Sequence, residues 1–422
     1  MAKAKKGKLC IEEMLVSTDL QPYEIPKNWC WIHLLESFDN VTDSKKKLST
    51  KEYLEEGEYP IIDQGQEYIG GYTDDEGMIY DGKLPIVIFG DHTRCIKYID
   101  FQFAQGADGV KVLKPKQFWD SKAFYYAMQS VEIPNMGYRR HYPLFKDFCI
   151  PVPPLAEQKR IVEQIENLFA KLDEAKEKAQ MVIDGYESRN ASVYNEAFSG
   201  KLTAKWREDN KKENCWEVKR FDEVAYIKSN LVSPADYLDY PHIAPDNIEK
   251  RTGILLDYHT IAEDGVTSGK HRFYAGQILY SKIRPYLSKV VMVDFDGLCS
   301  ADMYPIEAKE NAKFLLYYML SDAFLEQASS AGSRSVLPKI NQKELSAIKV
   351  PVTTVDEQAE VVRVLDNVLP MMQQTRDKAL QVVESIEVMK KSILARAFRG
   401  ELGTNNPKDE SAIELLKGVL NS

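Results

Sequence analysis

The chain has 422 residues, of which 44% are hydrophobic and 28% are charged, and its formal net charge is −9. This composition is typical of globular proteins, and the length predicts two or three domains. A membrane-spanning helix is excluded because no apolar stretch approaches about 18 residues. The cysteines and histidines are scattered without metal-ligand spacing, which predicts that the protein binds no metal. The absence of paired cysteines predicts reduced thiols and a cytoplasmic protein.

The first part of the chain predicts a short N-terminal segment, 1–20, and a compact α/β domain over 21–150, which we call module 1. The domain is rich in Tyr, Gly and Asp, and short apolar runs such as LPIVIFG at 84–90 are typical of strands. A tyrosine-rich helix is predicted at 121–130. A loop that combines glycine with arginine, NMGYRRH, follows it at 135–141.

Residues 151–205 predict one long helix that begins after a proline-rich lead. Proline cannot continue a helix, and an acidic residue at 157 suits the first helical turn. Apolar residues then recur in alternating steps of four and three, the 3.5-residue period of a coiled-coil seam. These seam residues are Ile161, Ile165, Leu168, Leu172, Ala175, Ala179, Val182, Tyr186 and Val193.

A second α/β domain is predicted over 206–350, which we call module 2, and the long helix then recurs at 351–402. Without a gap, about fifteen of the fifty-three positions in 150–202 are identical to those in 350–402, which indicates an internal duplication. The second copy keeps the register of the seam, with Pro370 predicted to kink it. The two modules resemble each other only in outline.

The last segment, 403–422, predicts a short amphipathic helix. Ile413, Leu416 and Val419 fall on one of its faces. Two roles stay open for this tail: contact with a partner subunit, or packing on its own chain near 9–16.

We find no motif that predicts catalysis. The sequence has no phosphate-binding G-x-x-x-x-G-K-[ST] loop and no G-x-G-x-x-G opening a βαβ unit. The run VPVPPL lacks both the amide or acid and the aromatic residue that flank the proline pair of amino-methyltransferases. Acids in FGDHT and VDFDG lack a spaced partner acid and lysine, and strand-end aspartates are more often turn formers.

Binding chemistry is better represented, in glycine-rich loops that carry amide, aromatic and basic side chains. Arg and Lys can pair with guanine edges, Gln with adenine, and glycine lets backbone amides approach phosphates. Each cluster alone is an ordinary solvated loop, but five clusters in corresponding places favour DNA binding. The candidate DNA contacts are Gln64, Gln66, Tyr72, His92, Arg94, Tyr138, Arg139, Arg140 and His141 in module 1, and Lys270, Arg272, Lys282, Arg284, Tyr286 and Arg334 in module 2.

The helical repeat carries a specific resemblance. PVPPLAEQKRIVEQI, the following LFAKLDEA, the closing AFSGKLT and the recurrence of this unit two hundred residues later resemble the DNA-specificity subunits of type I restriction–modification systems. The opening QPYEIPKNWCW is also similar to the entry into that family's first target-recognition domain. The second copy departs from the pattern, with Thr353-Thr354-Val355 in place of Pro-Pro-Leu.

The resemblance implies an α+β fold in which two α/β target-recognition domains are separated by two long antiparallel helices that form a coiled coil with pseudo-twofold symmetry. It implies that each domain reads one half of a bipartite site in double-stranded DNA. It also implies a scaffold that docks partner subunits, built from Pro151, Pro153, Pro154, Glu157, Gln158, Phe198, Pro351, Glu357, Gln358 and Phe398.

The same resemblance implies partners that hold the catalysis. Two methyltransferase subunits would bind S-adenosylmethionine, and translocase–nuclease subunits would use ATP and Mg²⁺, while this chain binds no cofactor or metal directly. Two other readings stay open from the residues alone: a coiled-coil scaffold or adaptor whose modules bind protein or another ligand, and an enzyme with an unfamiliar site. The charge of −9 argues mildly against DNA binding, although the field over one face matters more than the net charge.

Overall fold

The computed structural model describes residues 10–107, 109–331 and 338–421, except for the side chain of residue 331. The chain forms two compact units. Unit 1 is Met1–Lys178 with Gln381–Ser422, and unit 2 is Ala179–Leu380. Each unit therefore contains one module together with part of both long helices.

Short strands and helices alternate along each module, and the long helices follow the modules. Up to the first long helix the elements are α1 (Ile11–Met14), β1 (Cys30–His33), β2 (Phe38–Asn40), β3 (Tyr59–Ile62), β4 (Gly71–Thr73), β5 (Ile86–Gly90), β6 (Ile96–Ile99), β7 (Ala104–Gln105), β8 (Val110–Pro115), α2 (Ser121–Ser130), β9 (Cys149–Val152) and α3 (Leu155–Asp184). From there to the end of module 2 they are α4 (Tyr186–Phe198), α5 (Ala204–Asp209), β10 (Glu217–Arg220), α6 (Phe221–Val224), β11 (Ala225–Ile227), β12 (Leu231–Val232), β13 (Pro241–Ile243), β14 (His259–Thr260), α7 (Ile261–Asp264), β15 (Lys270–Phe273), β16 (Ile278–Ser281), β17 (Val290–Met292), β18 (Gly297–Cys299), β19 (Met303–Ala308), α8 (Ala312–Leu320), α9 (Asp322–Ala331), α10 (Gln342–Ser346) and β20 (Lys349–Val352). The chain ends with α11 (Val355–Ala397) and α12 (Ala412–Asn421).

Module 1 contains a four-stranded antiparallel sheet in the order β2-β8-β5-β6 and a three-stranded sheet in the order β4-β3-β7. In the smaller sheet, β3 pairs antiparallel with β4 and parallel with β7. Helix α2 is capped at its N-terminus by Asp120, whose carboxylate accepts hydrogen bonds from the backbone N–H groups of the first turn. Its buried face packs in a core that includes Phe89, Phe124 and Phe145.

Module 2 contains the same arrangement of seven strands, with two strands added to its second sheet. Its four-stranded sheet runs β11-β19-β16-β17, and its second sheet contains β14-β13-β18, where β13 is antiparallel to β14 and parallel to β18. Two further strands, β15 and β12, extend this second sheet. Helix α8 is capped by Asn311 in the way that Asp120 caps α2. The likeness of the modules therefore goes further than the outline that the sequence predicted.

A two-stranded antiparallel pair closes each module where the chain enters and leaves it. In module 1, β1 pairs with β9, so that Cys30 lies opposite Val152 and His33 opposite Cys149. In module 2, β10 pairs with β20 in the corresponding register, with Val218 opposite Pro351. The two ends of each module therefore meet at the start of the long helix that follows.

The two long helices pair antiparallel within each unit. In unit 1, Lys176 Nζ lies 3.1 Å from a carboxylate oxygen of Glu387, and Lys390 Nζ lies 2.6 Å from Asp173. In unit 2, the Tyr186 hydroxyl donates to Gln373 Oε1 at 2.7 Å. Rising residue numbers on one helix face falling numbers on the other, so the α+β fold with two modules and an antiparallel helix pair is as the sequence predicted.

The first long helix differs from the prediction of one continuous helix. It is interrupted at Gly185, between α3 and α4, although hydrogen bonds from the Gly185 N–H to the Met181 carbonyl and from the Arg189 N–H to the Gly185 carbonyl bridge the interruption. Helix α11, in contrast, continues through Pro370. The seam residue Ala179 and its counterpart in the second copy, Ala379, are buried, as the 3.5-residue period predicted, whereas the seam residue Ala175 is exposed.

The tail helix α12 packs within unit 1. The N–H of Ala412 donates to the Asn28 carbonyl, and α12 contacts α1. Ala412 and Leu416 belong to the same hydrophobic core as Met14 and Trp29. Of the two roles left open for the tail, the structure shows packing on its own chain near 9–16.

Replacing Leu416 with alanine should destabilise unit 1 by about 2–5 kcal/mol, because the side chain is fully buried and its loss leaves a cavity. Hydrogen exchange should show faster exchange in peptides that cover α1 and β1. The matched control is Ile413→Ala on the same helix, whose side chain is 36% exposed and whose loss should change little. Equal effects of the two substitutions would argue against this packing.

Among the residues that the structure describes, no helix is both long enough and apolar enough to cross a membrane.

Candidate nucleic-acid interface

In module 1, three loops that the sequence singled out come together beside the end of β5. The backbone N–H of His92 donates to Gln64 Oε1 at 3.1 Å, and the hydroxyl of Thr93 donates to the Gln64 carbonyl at 2.6 Å. The ring of His92 stacks on Tyr138, with centroids 4.8 Å apart and planes 12° apart. Arg94 donates from Nη1 to the Ile133 carbonyl at 2.9 Å, which ties the loop after β5 to the segment after α2.

The surface of this cluster is basic and aromatic. Tyr138 is 87% exposed, and Arg139 and Arg140 beside it are also exposed. Guanidinium groups in this setting can neutralise phosphates or pair with guanine edges, and an exposed ring can stack on a base. Gln66 is exposed on the loop of Gln64, whereas the half-buried Tyr72 lies on β4 of the smaller sheet.

His141 has a structural position, which differs from the DNA contact that the sequence predicted. Its ring is fully buried, Nδ1 lies 2.8 Å from the Asp91 carbonyl, and Nε2 accepts a hydrogen bond from the Met136 N–H at 3.1 Å. Since Nε2 accepts, Nδ1 carries the hydrogen and donates. Because the His141 side chain has no solvent-exposed surface, it is not available for contact with DNA. Its two hydrogen bonds instead connect the Tyr138 loop to the loop after β5.

The corresponding site in module 2 lies after β16, the counterpart of β5. Arg284 and Tyr286 are exposed there, and the half-buried Lys282 donates from Nζ to the Ala301 carbonyl at 2.6 Å. The N–H of Arg284 donates to the Pro338 carbonyl at 2.8 Å, so this loop also meets the segment that follows the module helices. Arg334, the remaining candidate of that segment, lies outside the described residues.

The two loops share an unusual backbone feature. Arg94 and Arg284 both have positive φ angles, 63° and 48°, which are uncommon for residues other than glycine. Each follows a central strand of a four-stranded sheet that has the same order in both modules. The modules thus present basic side chains from equivalent positions on a repeated frame.

Two candidates of module 2 lie on β15, a strand without a counterpart in module 1. Lys270 is buried, and its Nζ donates to the carbonyl and hydroxyl oxygens of Ser268, so it has a structural position like that of His141. Burial lowers the pKa of Lys270. The guanidinium of Arg272 lies 4.8 Å from the ring centre of Tyr274, and two more tyrosines, Tyr237 and Tyr240, lie within 6 Å. Such stacking leaves the edge of a guanidinium available for hydrogen bonding.

The predicted scaffold residues form two buried junctions, one in each unit. In unit 1, Glu157 accepts hydrogen bonds from Trp29 Nε1 at 2.7 Å and from Asn405 Nδ2 at 2.7 Å. The side chain of Gln158 accepts from the Asp120 N–H and donates to two backbone carbonyls, which joins α3 to the start of α2. All of these contacts are made with residues of the same chain, so Glu157 and Gln158 attach module 1 to helix α3.

The junction in unit 2 is built in the same way around Glu357. This carboxylate accepts from Trp216 Nε1 at 2.8 Å and from the hydroxyls of Thr203 and Thr353 at 2.6 and 2.7 Å, and it pairs with Arg207. Burial alone would raise the pKa of Glu357, but the hydrogen bonds that it accepts outweigh burial and lower it. The other scaffold candidates are buried, or half-buried in the case of Pro351: Pro151, Pro153, Pro154, Phe198, Pro351 and Phe398.

The sequence did not single out the partners of the two carboxylates. In the sequence, Trp29 and Trp216 stand near the start of each module, and no motif marks them as partners of a carboxylate. Thr203 and Asn405 each lie a few residues after the glycine at the end of a long helix. Thr203 donates to Glu357 and Asn405 donates to Glu157, which are far away in the sequence. Within the described ranges, no group of three or more His, Cys, Asp or Glu side chains could hold a metal ion.

Comparison with known families bears on both modules. A family model described as the type I restriction modification DNA specificity domain matches residues 26–182 and 213–384. The chain belongs to this family. Each matched segment covers most of one module and the beginning of the long helix that follows it.

Individual relatives are consistent with this assignment. The chain is 42% identical over 278 residues to the type I restriction enzyme EcoDI specificity subunit of Escherichia coli, over 61% of this chain and 63% of that protein. It is 24% identical over 274 residues to the EcoKI specificity subunit of Escherichia coli K12, over 60% and 57% of the two chains. The matches thus span less than two thirds of these relatives.

Two solved structures share the fold of this chain. The HsdS subunit from Thermoanaerobacter tengcongensis is 15% identical, with a TM-score of 0.58 over 90% of this chain and 99% of that chain. A chain from a structure on complex assembly and conformational transition of the type I restriction–modification system is 16% identical, with a TM-score of 0.60 over 90% and 100%.

Proposed function

We propose that this chain is the DNA-recognition subunit of a type I restriction–modification complex, in which each module reads one half of a bipartite, asymmetric site in double-stranded DNA. The observation that carries the proposal is the placement of exposed basic and aromatic side chains beside the ends of the corresponding strands β5 and β16. They are Tyr138, Arg139 and Arg140 in module 1, and Arg284 and Tyr286 in module 2. Modules with one frame but different side chains suit two different half-sites. The chain itself would carry out no catalysis.

The proposal includes partner subunits that supply the chemistry. Two methyltransferase subunits would dock on the helix pair and bind S-adenosylmethionine, and translocase–nuclease subunits would use ATP and Mg²⁺. Such a complex would work in the cytoplasm, where it defends the cell against foreign DNA. Because the net charge is −9, we expect this chain alone to bind DNA weakly and the complex to bind it tightly.

The helix pair would set the distance between the half-sites. Helix α11 has 43 residues and is therefore about 65 Å long at about 1.5 Å per residue. That length corresponds to roughly 19 base pairs at about 3.4 Å each, which is an upper bound on the reach. An unread spacer of about one helical turn or less fits within it.

Methylome sequencing of a host with and without this chain tests the proposal, with the neighbouring methyltransferase present in both. We expect methyladenine at one bipartite motif to disappear when the chain is removed. An unchanged methylome, with the complex still assembled, would contradict DNA recognition. The chain would then fit a coiled-coil scaffold or adaptor whose modules bind protein or another ligand.

A further inference from the structure

Tyr138 is unusually exposed for an aromatic side chain. Its 87% exposure is the largest among the large apolar and aromatic side chains in the described part of the chain. Such a ring usually lies in a protein core or an interface, because its burial is strongly favourable. Its exposure at the tip of a loop suggests that another molecule covers it.

The ring is nevertheless held in place from one side. His92 stacks against it, with ring planes only 12° apart. Nδ1 of His92 is buried without a hydrogen-bond partner. The contact that the imidazole makes with Tyr138 is therefore ring stacking, and no hydrogen bond through Nδ1 competes with it. The backbone of His92 is fixed in turn by its hydrogen bond to Gln64.

The loop itself is built to direct Tyr138 outward. Gly137 has a φ angle of 68°, a conformation that favours glycine, and its N–H donates to Asn135 Oδ1 at 3.0 Å. The buried His141 fastens the other side of the loop through Met136 and Asp91. The tyrosine is therefore both exposed and positioned, a combination that lowers the entropy cost of binding.

The neighbours of Tyr138 define what it can bind. Arg139 and Arg140 are exposed directly after it and can neutralise two phosphates. A ring placed beside phosphate-binding arginines can reach the depth of the bases, where aromatic side chains stack or wedge between base steps.

We propose that Tyr138 stacks on a base within the DNA half-site of module 1, with His92 as its positioning residue. This inference rests on the proposed function and adds to it the kind of contact and the residue that makes it. Tyr138 then supports recognition through base stacking and local unstacking of the duplex, and Arg139 and Arg140 supply the contacts to the backbone.

Photocrosslinking tests the contact directly. The complete complex with its methyltransferase subunits is bound to a duplex that carries the methylated motif, with 5-iodouracil at each thymine of one half-site in turn. We expect a crosslink to Tyr138, identified by mass spectrometry, at one position. Tyr138→Ala should abolish it and weaken binding to the motif by about tenfold, and Tyr138→Phe should preserve both.

Matched variants separate stacking from other contacts. His92→Phe keeps a flat ring and should bind within about twofold of the unaltered chain, whereas His92→Ala should weaken binding. Arg139→Ala should lower the slope of log affinity against log salt by about 1, and Tyr138→Ala should leave that slope unchanged. Tyr226→Ala removes an exposed tyrosine of module 2 that is not among the candidate DNA contacts, and it should leave the Tyr138 crosslink unaffected.

Three outcomes distinguish a failure of base stacking by Tyr138 from a failure of the proposed DNA recognition. Unchanged affinity of the Tyr138→Ala complex would overturn the inference while the proposed function stands. An equal loss in Tyr138→Phe would assign the contact to the hydroxyl group and also overturn stacking. If the unaltered complex bound its motif no better than an unrelated duplex, the proposed function itself would fail.

Discussion

Replacing Glu357 with glutamine should destabilise unit 2 by about 3–5 kcal/mol, the usual cost of removing one partner of a buried ion pair. The Glu357 side chain is 1% exposed, and that of Arg207 is 13% exposed. Glutamine has the same shape but turns one acceptor oxygen into an NH₂ group. It would leave the arginine charge uncompensated and bring a donor up against the donors of Trp216 and the threonines.

The matched control for Glu357→Gln is Asp356→Asn, one residue earlier on the same helix. Asp356 forms an exposed ion pair with Lys212, and such pairs contribute at most about 1 kcal/mol. Urea unfolding gives the free energy, and hydrogen exchange in peptides around Thr203 and Trp216 assigns the loss to unit 2. If both substitutions cost the same, Glu357 would not be the centre of the junction.

The lowered pKa of Glu357 gives the same junction a pH dependence. A carboxyl whose pKa is lower in the folded state stabilises the fold above its unfolded pKa, roughly 4.3, and this contribution is lost as the pH falls through the folded value. We therefore expect the difference in stability between the unaltered chain and Glu357→Gln to be constant above about pH 5. It should shrink in more acidic solution.

Exchange of the interior of module 1 should change one half of the methylated motif and leave the other half intact. The antiparallel pair of β1 and β9 brings the two ends of the module together, with His33 opposite Cys149. Residues 34–148 can therefore be replaced by the same region of another specificity subunit without breaking the pair or the Glu157 junction. Methylome sequencing of the hybrid gives the new motif.

The corresponding exchange in module 2, over residues 221–348, is the matched experiment. It should alter the other half of the motif, because β10 and β20 close that module in the same way. A hybrid that changes both halves at once would show that the modules do not read independently. Loss of all methylation in a well-assembled hybrid would show that the cut points disturb the junction.

Much of the frame could be predicted from the sequence because it is local. The Pro-Val step before each long helix, the Glu-Gln pair in its first turn and the apolar period recur in both copies, so they can be recognised in the sequence without knowledge of long-range contacts. The likeness of the modules could not be predicted to the same depth. A sheet order such as β2-β8-β5-β6 depends on strand pairing between distant segments, which different side chains can satisfy.

In the candidate DNA interface, too, some residues could be predicted from local sequence and others depend on distant contacts. Tyr138, Arg139 and Arg284 could be picked out because glycine-rich loops with basic residues are visible in the sequence, and they are exposed. His141 and Lys270 share that pattern but are buried. His141 lies against Asp91, fifty residues earlier in the chain, and Lys270 lies on β15, an inner strand of the second sheet of module 2. Burial leaves these two side chains almost no surface for a DNA contact, and no loop motif reveals that burial.

The interruption at Gly185 lies at the level of Pro370 on the opposite helix. Both flank one cavity of about 290 Å³ in unit 2, which is lined by Val182, Tyr186, Arg189, Val368, Met371, Met372 and Thr375. Proline removes a backbone hydrogen bond from one helix, and glycine adds backbone freedom to the other. We therefore expect the helix pair of unit 2 to bend more easily beside this cavity than beside the buried Ala179 and Ala379.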